Sequence, residues 1–280
     1  MFELSSHSAF CILLSSQPTL PPKHHRQATI IPTADYKLFT PLKLGDNLEL
    51  KNRIALTRGR ANADGVPSEN NELYYEQRAG AGLIISEGTA VSEQGYGWYH
   101  VAACYTDARA EGWKRVIDRV HNKGGKIFMQ MWHIGRQGHS SFNKKGEIVL
   151  ASALRCESGH TRDTDYVVSD YETPRALETE EIPSIVEDYR KSALVGVVEE
   201  SGVARYPSLY LLSCSMICPR CPCYRSRLVR SGAADLVVFG RLYITNPDLA
   251  KRFQNDWPVE PMAGHGAYYN SALGGKLYND

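Results

Sequence analysis

Two periodicities alternate along the chain. Short apolar runs without polar alternation read as buried strands: Gly82-Leu-Ile-Ile-Ser-Glu87-Gly88, Lys126-Ile-Phe-Met-Gln130-Met-Trp132 and Ala234-Asp-Leu-Val-Val-Phe239. Between them apolar residues recur at helical spacing. Trp113, Val116, Ile117 and Val120 mark a helix from about Asp107 that Gly124-Gly125 stops. Ile182, Ile185, Val186 and Tyr189 mark one face of a helix from near Glu178, and another helix is predicted over roughly Glu69 to Arg78. Asn246-Pro247 reads as an N-cap with proline at the first helical position. The polar stretch Phe142 to Pro174 is predicted to be an irregular excursion over the barrel rim.

Alternating strands and amphipathic helices indicate a parallel α/β fold. Runs lacking polar alternation suit a sheet covered on both faces. A (β/α)8 TIM barrel takes about 250 residues, and Leu38 to Trp257 is nominally long enough. The rhythm lapses after about Ala193, however, and returns only near Ala233. Within that gap Tyr206 to Cys223 reads YPSLYLLSCSMICPRCPC, a composition unlike its surroundings. The expected fold is therefore a TIM (β/α)8 barrel that is incomplete, with mid-barrel strands missing or replaced. The expected layout is a leader or targeting segment over 1–35, a barrel domain over 36–262 with an atypical segment at 194–232, and a C-terminal tail over 263–280.

Bulk composition narrows the function classes. Of 280 residues 22% are charged and the formal net charge is +1, so no general attraction to nucleic acid or to a membrane surface follows. No apolar run approaches the ~20 residues that span a bilayer. Seven cysteines, an odd count with Cys11, Cys104 and Cys156 far apart, favour a reducing setting over a disulfide framework. The first 35 residues are rich in Ser, Pro and His, with Glu3 and Asp35 the only acids. They read as a disordered leader or as an organellar transit peptide. The expected location is cytoplasmic, with an organelle as the alternative.

The strand beginning at Lys126 ends in chemistry. Gln130, Trp132, His133 and Arg136 bring an amide, an indole, an imidazole and a guanidinium to one rim, which a core strand does not need. Three other segments accompany it: Asn52-Arg-Ile-Ala-Leu-Thr57-Arg58-Gly-Arg60-Ala61, Gly82 to Thr89, and Phe239-Gly240-Arg241 through Asn246-Pro247-Asp248-Leu249. In order and spacing the four together resemble the old yellow enzyme family of NADH:flavin oxidoreductases, the 12-oxophytodienoate reductase-like branch above all. The resemblance covers about Leu38 to Leu194 and Ser231 to Glu260.

That resemblance implies an FMN cofactor with NAD(P)H as reductant and an α,β-unsaturated carbonyl compound, an enone, as substrate. By matching position it implies that Ala55 and Thr57 lie against the flavin, the threonine hydroxyl near N5 and O4. Gly88 would let backbone approach the ring, and Gln130 would bond its pyrimidine edge. Trp132 would shape the substrate pocket, and Gly240 with Arg241 would clamp the phosphate. A Gly-Arg turn after a late strand and ahead of a helix is also where such barrels hold a phosphate, and a guanidinium adds a bidentate contact. His133 reads as a structural histidine, and Arg136 as a partner for a carboxylate.

In the family, hydride passes from NAD(P)H to the flavin and then to the β-carbon of an activated alkene. The cofactor carries the chemistry and the protein positions and polarises. Two aligned donors, His-x-x-Asn or His-x-x-His, stabilise the developing enolate, and a following Gly-Tyr supplies the proton. None of the nine histidines here has Asn or His three residues later, and the nearest shape, His265-Gly-Ala-Tyr268, lies in the tail. The family's mid-barrel arginine and glycine-rich phosphate loop are missing as well, so this chain is expected to be unstable or flavin-poor. Two rivals stand beside the enzyme reading. One is a non-catalytic remnant acting as an interaction protein. The other is a metal site on Cys214, Cys218, Cys221 and Cys223, whose close spacing makes tetrahedral closure awkward; no metal is expected.

Overall fold

The computed structural model describes residues 36–44, 47–57, 61, 64–98, 100–150, 153–165, 167–196, 211–213, 229–232 and 234–261. The leader, the cysteine cluster and the tail lie outside these residues. A short antiparallel ribbon comes first, β1 (Leu42–Leu44) with β2 (Leu48–Leu50). Then follow β3 (Ile54–Thr57), α1 (Glu69–Gln77), β4 (Leu83–Ala90), α2 (Asp107–Asn122) and β5 (Ile127–Trp132). After an excursion come α3 (Ile182–Gly196), β10 (Leu211–Ser213), β11 (Leu236–Phe239), α4 (Arg241–Thr245) and α5 (Leu249–Gln254).

Five of these strands form one parallel sheet in the order β10-β11-β3-β4-β5. The late strand β11 pairs with the early strand β3, Val238 opposite Ala55 and Phe239 opposite Leu56. A barrel that closes on itself brings its last strand back to its first in this way. Among the described residues the arc has five strands and does not close.

The unbroken apolar runs have the two covered faces expected of them. One face carries Ile54, Leu56, Ile84, Val237 and Phe239 against Tyr74, Tyr75, Trp113, Val116, Val120 and Phe253 of the helices. The other carries Ala55, Leu83, Leu236 and Val238, plugged by Leu44 and Leu50 of the ribbon. Period-2 alternation sorts the side chains between the faces. Helix α1 opens with the Ser68 N–H donating to the Asn71 side-chain oxygen at 2.9 Å. Helix α2 ends at the predicted glycines, Gly124 sitting at φ +69°.

Four expectations need correction. The excursion after β5 is not wholly irregular. It contains β6 (Val149–Leu150) paired with β9 (Arg175–Ala176), and a hairpin of β7 (His160–Arg162) with β8 (Val168–Asp170). Asp163 builds the hairpin turn by accepting the N–H groups of Asp165 and Val167, both at 2.9 Å. Helix α3 does not bury the face first read. Ile182 and Val186 are 49% and 62% exposed, whereas Tyr189 packs on the core and buried Ser192 donates to the Val91 carbonyl at 3.0 Å. Asn246 is the C-cap of α4 and not an N-cap; Asp248 takes that place before α5. Finally, the atypical segment contributes a strand, since Leu211–Ser213 pairs in parallel with Leu236–Val238. No helix among the described residues is long and apolar enough to cross a membrane.

Candidate functional site

The C-terminal ends of the parallel strands lie side by side, and their register locates the residues of interest. Thr57 closes β3 opposite Ile85, Ile85 lies opposite Phe128, and one layer further along Gly88 lies opposite Gln130. On the other side Phe239 pairs with Leu56, so Gly240 leaves β11 level with Thr57. Ala55 is fully buried on the face opposite the helices, with Leu83 and Val238. Phe128 belongs to that same face, and alternation puts Gln130 and Trp132 there too. The side chain of Thr57 and residues 58–60 lie outside the described residues.

A bulge sets the rim. Between the pairs Ile85–Phe128 and Gly88–Gln130, β4 spends one residue more than β5. The spare position is stabilised locally. Ser86, fully buried, accepts the Gln130 N–H on its hydroxyl at 2.9 Å and donates to the Glu87 carbonyl at 2.8 Å. Glu87 thereby turns to the helix side, while Gly88 turns to the inner side. A methyl group at Gly88 would meet Trp132 Cδ2 at 2.8 Å, so glycine is what allows the indole to lie there.

Trp132 joins a rim cluster with Tyr96, Tyr105 and Phe142, the Tyr96 and Phe142 rings meeting edge-on at 6.2 Å. Its buried indole Nε1 has no hydrogen-bond partner among the described residues. His133 is only half satisfied. Its Nδ1 accepts the Gly135 N–H at 3.1 Å, which assigns the proton to Nε2, yet buried Nε2 finds no acceptor among the described residues. Burial pulls its pKa below the ordinary histidine range, against the opposing field of Asp188. Arg136 is exposed, and no carboxylate among the described residues pairs with it.

Glu87 is the most perturbed acid near the site. The residue as a whole is half-buried, but its carboxyl is closed in between β4 and α1. Burial pushes its pKa up to about 8, against hydrogen bonds from Ala102, Tyr75 and Asn71 that pull it down. Tyr75 also accepts the Glu87 N–H at 3.0 Å, and the Asn71 amide donates to Oε1 at 3.3 Å. Sequence reading gave Ser86 and Glu87 no role. The available signal was two polar residues inside an apolar strand.

Beyond β11, Gly240 caps α4 and Arg241 is its first residue. Neither the Arg241 guanidinium nor the Gln130 amide has a hydrogen-bond partner among the described residues, and both side chains are only half-buried. An accessible amide on the inner face, a small residue beside it and an uncommitted cation on the turn after β11, two strands further along the sheet from β4, fit a planar heterocycle carrying a phosphate. The described residues contain no cluster of metal-ligating side chains.

Comparison with known proteins gives the same direction. Residues 37–197 match the NADH:flavin oxidoreductase / NADH oxidase family. 12-Oxophytodienoate reductase 7 of Oryza sativa subsp. japonica is 40% identical over 165 residues, 56% of this chain and 41% of that protein. 12-Oxophytodienoate reductase 1 of the same organism is 37% identical over 173 residues, 60% of this chain and 44% of its own length. The chain thus spans less than half the length of these relatives. Among solved structures, morphinone reductase in complex with tetrahydroNAD superposes with a TM-score of 0.73 at 28% identity, covering 87% of this chain and 96% of the other. The old yellow enzyme homologue from Zymomonas mobilis gives 0.71 at 25% identity, with 87% and 99% covered. A family match over more than half the chain, on a parallel sheet whose last strand meets its first, leaves one assignment: the chain belongs to the NADH:flavin oxidoreductase / NADH oxidase family.

Proposed function

We propose that the chain is an FMN-binding, NAD(P)H-dependent oxidoreductase of the ene-reductase type, with alkene reduction impaired. Gln130 would bond the pyrimidine edge of the ring, Thr57 and Gly88 would flank it, and Gly240 with Arg241 would hold the phosphate. Ala55 would form the floor below, and Trp132 the wall on the substrate side. When bound, the flavin supplies hydride transfer between the nicotinamide and an activated C=C bond. The side chains would orient the ring and close it off from water.

The observation that carries this reading is the pair of uncommitted polar groups at the same end of one parallel sheet, Gln130 near the end of β5 and Arg241 on the turn after β11, with β3 and β4 between them, in a chain of this family. The impairment reading is supported by the sequence, in which no histidine has Asn or His three residues later to polarise an enone carbonyl. Loss of one oxyanion donor costs about 10²–10³ in kcat in an acyl-transfer oxyanion hole. Anaerobic mixing of the FMN-loaded chain with NADPH, and then with 2-cyclohexenone, tests both halves. The expected result is bleaching of the flavin by NADPH with little reoxidation by the enone. Failure of the flavin to bleach contradicts the oxidoreductase reading, and fast reoxidation contradicts the impairment.

A further inference from the structure

Helix α4, which carries Arg241, is held in place by a cation from a distant element. Arg78, the C-cap of α1, is fully buried. Its Nε donates to the Tyr243 carbonyl at 2.8 Å and its Nη2 to the Ile244 carbonyl at 2.8 Å. Its Nη1 donates to the Tyr74 carbonyl at 2.9 Å, and the guanidinium carbon lies 3.6 Å over the Tyr74 ring. One side chain therefore joins α1 to α4 across 165 residues of sequence.

The carbonyls it meets are those a helix end leaves without partners. The two are consecutive, and a guanidinium fork can satisfy both at once, whereas an ammonium is a single point. Asn246 completes the arrangement from the other side. Its Nδ2 donates to the Leu242 carbonyl at 2.9 Å, and its Oδ1 accepts the Glu260 N–H at 2.9 Å. The carbonyls of three successive residues, Leu242, Tyr243 and Ile244, thus each receive a side-chain donor. Packing alone would be served by an apolar side chain, without the cost of taking a charge out of water. An arginine here gives direction to the backbone it grips.

We infer that Arg78 is a positioning residue for phosphate binding: by fixing the Tyr243 and Ile244 carbonyls it sets the direction in which Arg241 presents its guanidinium. This rests on the reading of Gly240 and Arg241 as the phosphate clamp. Arg78, fully buried and committed to the Tyr74, Tyr243 and Ile244 carbonyls, would act through Arg241 and not on the phosphate or the ring itself.

Riboflavin, which lacks the phosphate, separates this role from a general strut. The flavin-free chain is titrated with FMN and with riboflavin by flavin fluorescence, as wild type, Arg78→Met, Arg78→Lys and Arg241→Ala, with thermal melts alongside. Arg78→Met is expected to weaken FMN about tenfold, the scale of one lost charge-assisted hydrogen bond, and riboflavin less than about twofold. Arg78→Lys should fall between wild type and Arg78→Met. Equal losses for both ligands, no loss for either, or collapse of both Arg78 variants would overturn the inference. If Arg241→Ala is selective against FMN and the Arg78 variants are not, only the bracing role fails. If Arg241→Ala is itself unselective, or wild type binds no flavin, the clamp reading fails and the bracing role with it.

Discussion

A carboxyl enclosed between a strand and a helix stores pH dependence. Glu87 has its pKa raised to about 8 by burial, against an ordinary value of 4.5. The folded chain therefore holds this proton more tightly than the unfolded chain. The stabilisation is complete below about pH 4.5 and is lost as pH rises through about 8. Glu87→Gln keeps the shape without the titration, so its melting temperature should fall less than that of wild type across this window. Parallel profiles would show that the carboxyl does not titrate there. At this scale the sequence was legible where chemistry ends a strand. Gln130, Trp132 and His133 stood out because a core strand has no use for them. Arg78 was not legible, because a basic residue in the last turn of a helix is ordinary. Its partners at Tyr243 and Ile244 exist only after folding.

At the scale of elements, the bulge in β4 decides which residue faces inward. Without the spare position the chain beyond Ile85 would change faces, sending Glu87 to the inner rim in place of Gly88. Ser86→Ala removes the acceptor of the Gln130 N–H and should destabilise the fold by about 1–3 kcal/mol, measured by denaturant unfolding. If Gln130 holds the ring and not the phosphate, as proposed, the substitution should also weaken binding of FMN and riboflavin to a similar degree. Unchanged stability would mean that the strand re-pairs without the hydroxyl. Strand and helix cores were readable from period, as with Trp113, Val116 and Val120 of α2. Readings that depended on a neighbouring element were not. Helix α3 has apolar residues on more than one face, and the docking of Ser192 on the Val91 carbonyl selects the buried one. Asn246 has the composition of an N-cap, yet its amide is taken by Leu242 and Glu260, 14 residues further along.

For the whole molecule, the seam between β11 and β3 is what joins the phosphate side of the proposed site to the ring side. The barrel class was legible from the alternation of strands and helices. The meeting of first and last strands was not, because it is a contact between residues more than 180 positions apart, as in the Arg53 donation to the Asp235 carbonyl. Among the described residues β5 lies at one end of the sheet, and α3 exposes Ile182, Val186 and Leu194. With mid-barrel strands missing or replaced, as the sequence leads one to expect, the chain should purify with less than stoichiometric flavin and melt at a higher temperature when FMN is added. Saturation at 100 times Kd is worth about 2.7 kcal/mol. An FMN-independent melting temperature would contradict this.

The most direct measurement is a paired titration of Gln130→Ala and Arg241→Ala with FMN and riboflavin. If one flavin spans the β5 rim and the α4 turn, Gln130→Ala weakens both ligands by a similar factor, of order tenfold. Arg241→Ala weakens FMN by a comparable factor and leaves riboflavin nearly unchanged. Wild-type binding of both ligands by both variants, or no saturable flavin binding by the chain at all, would contradict a shared site.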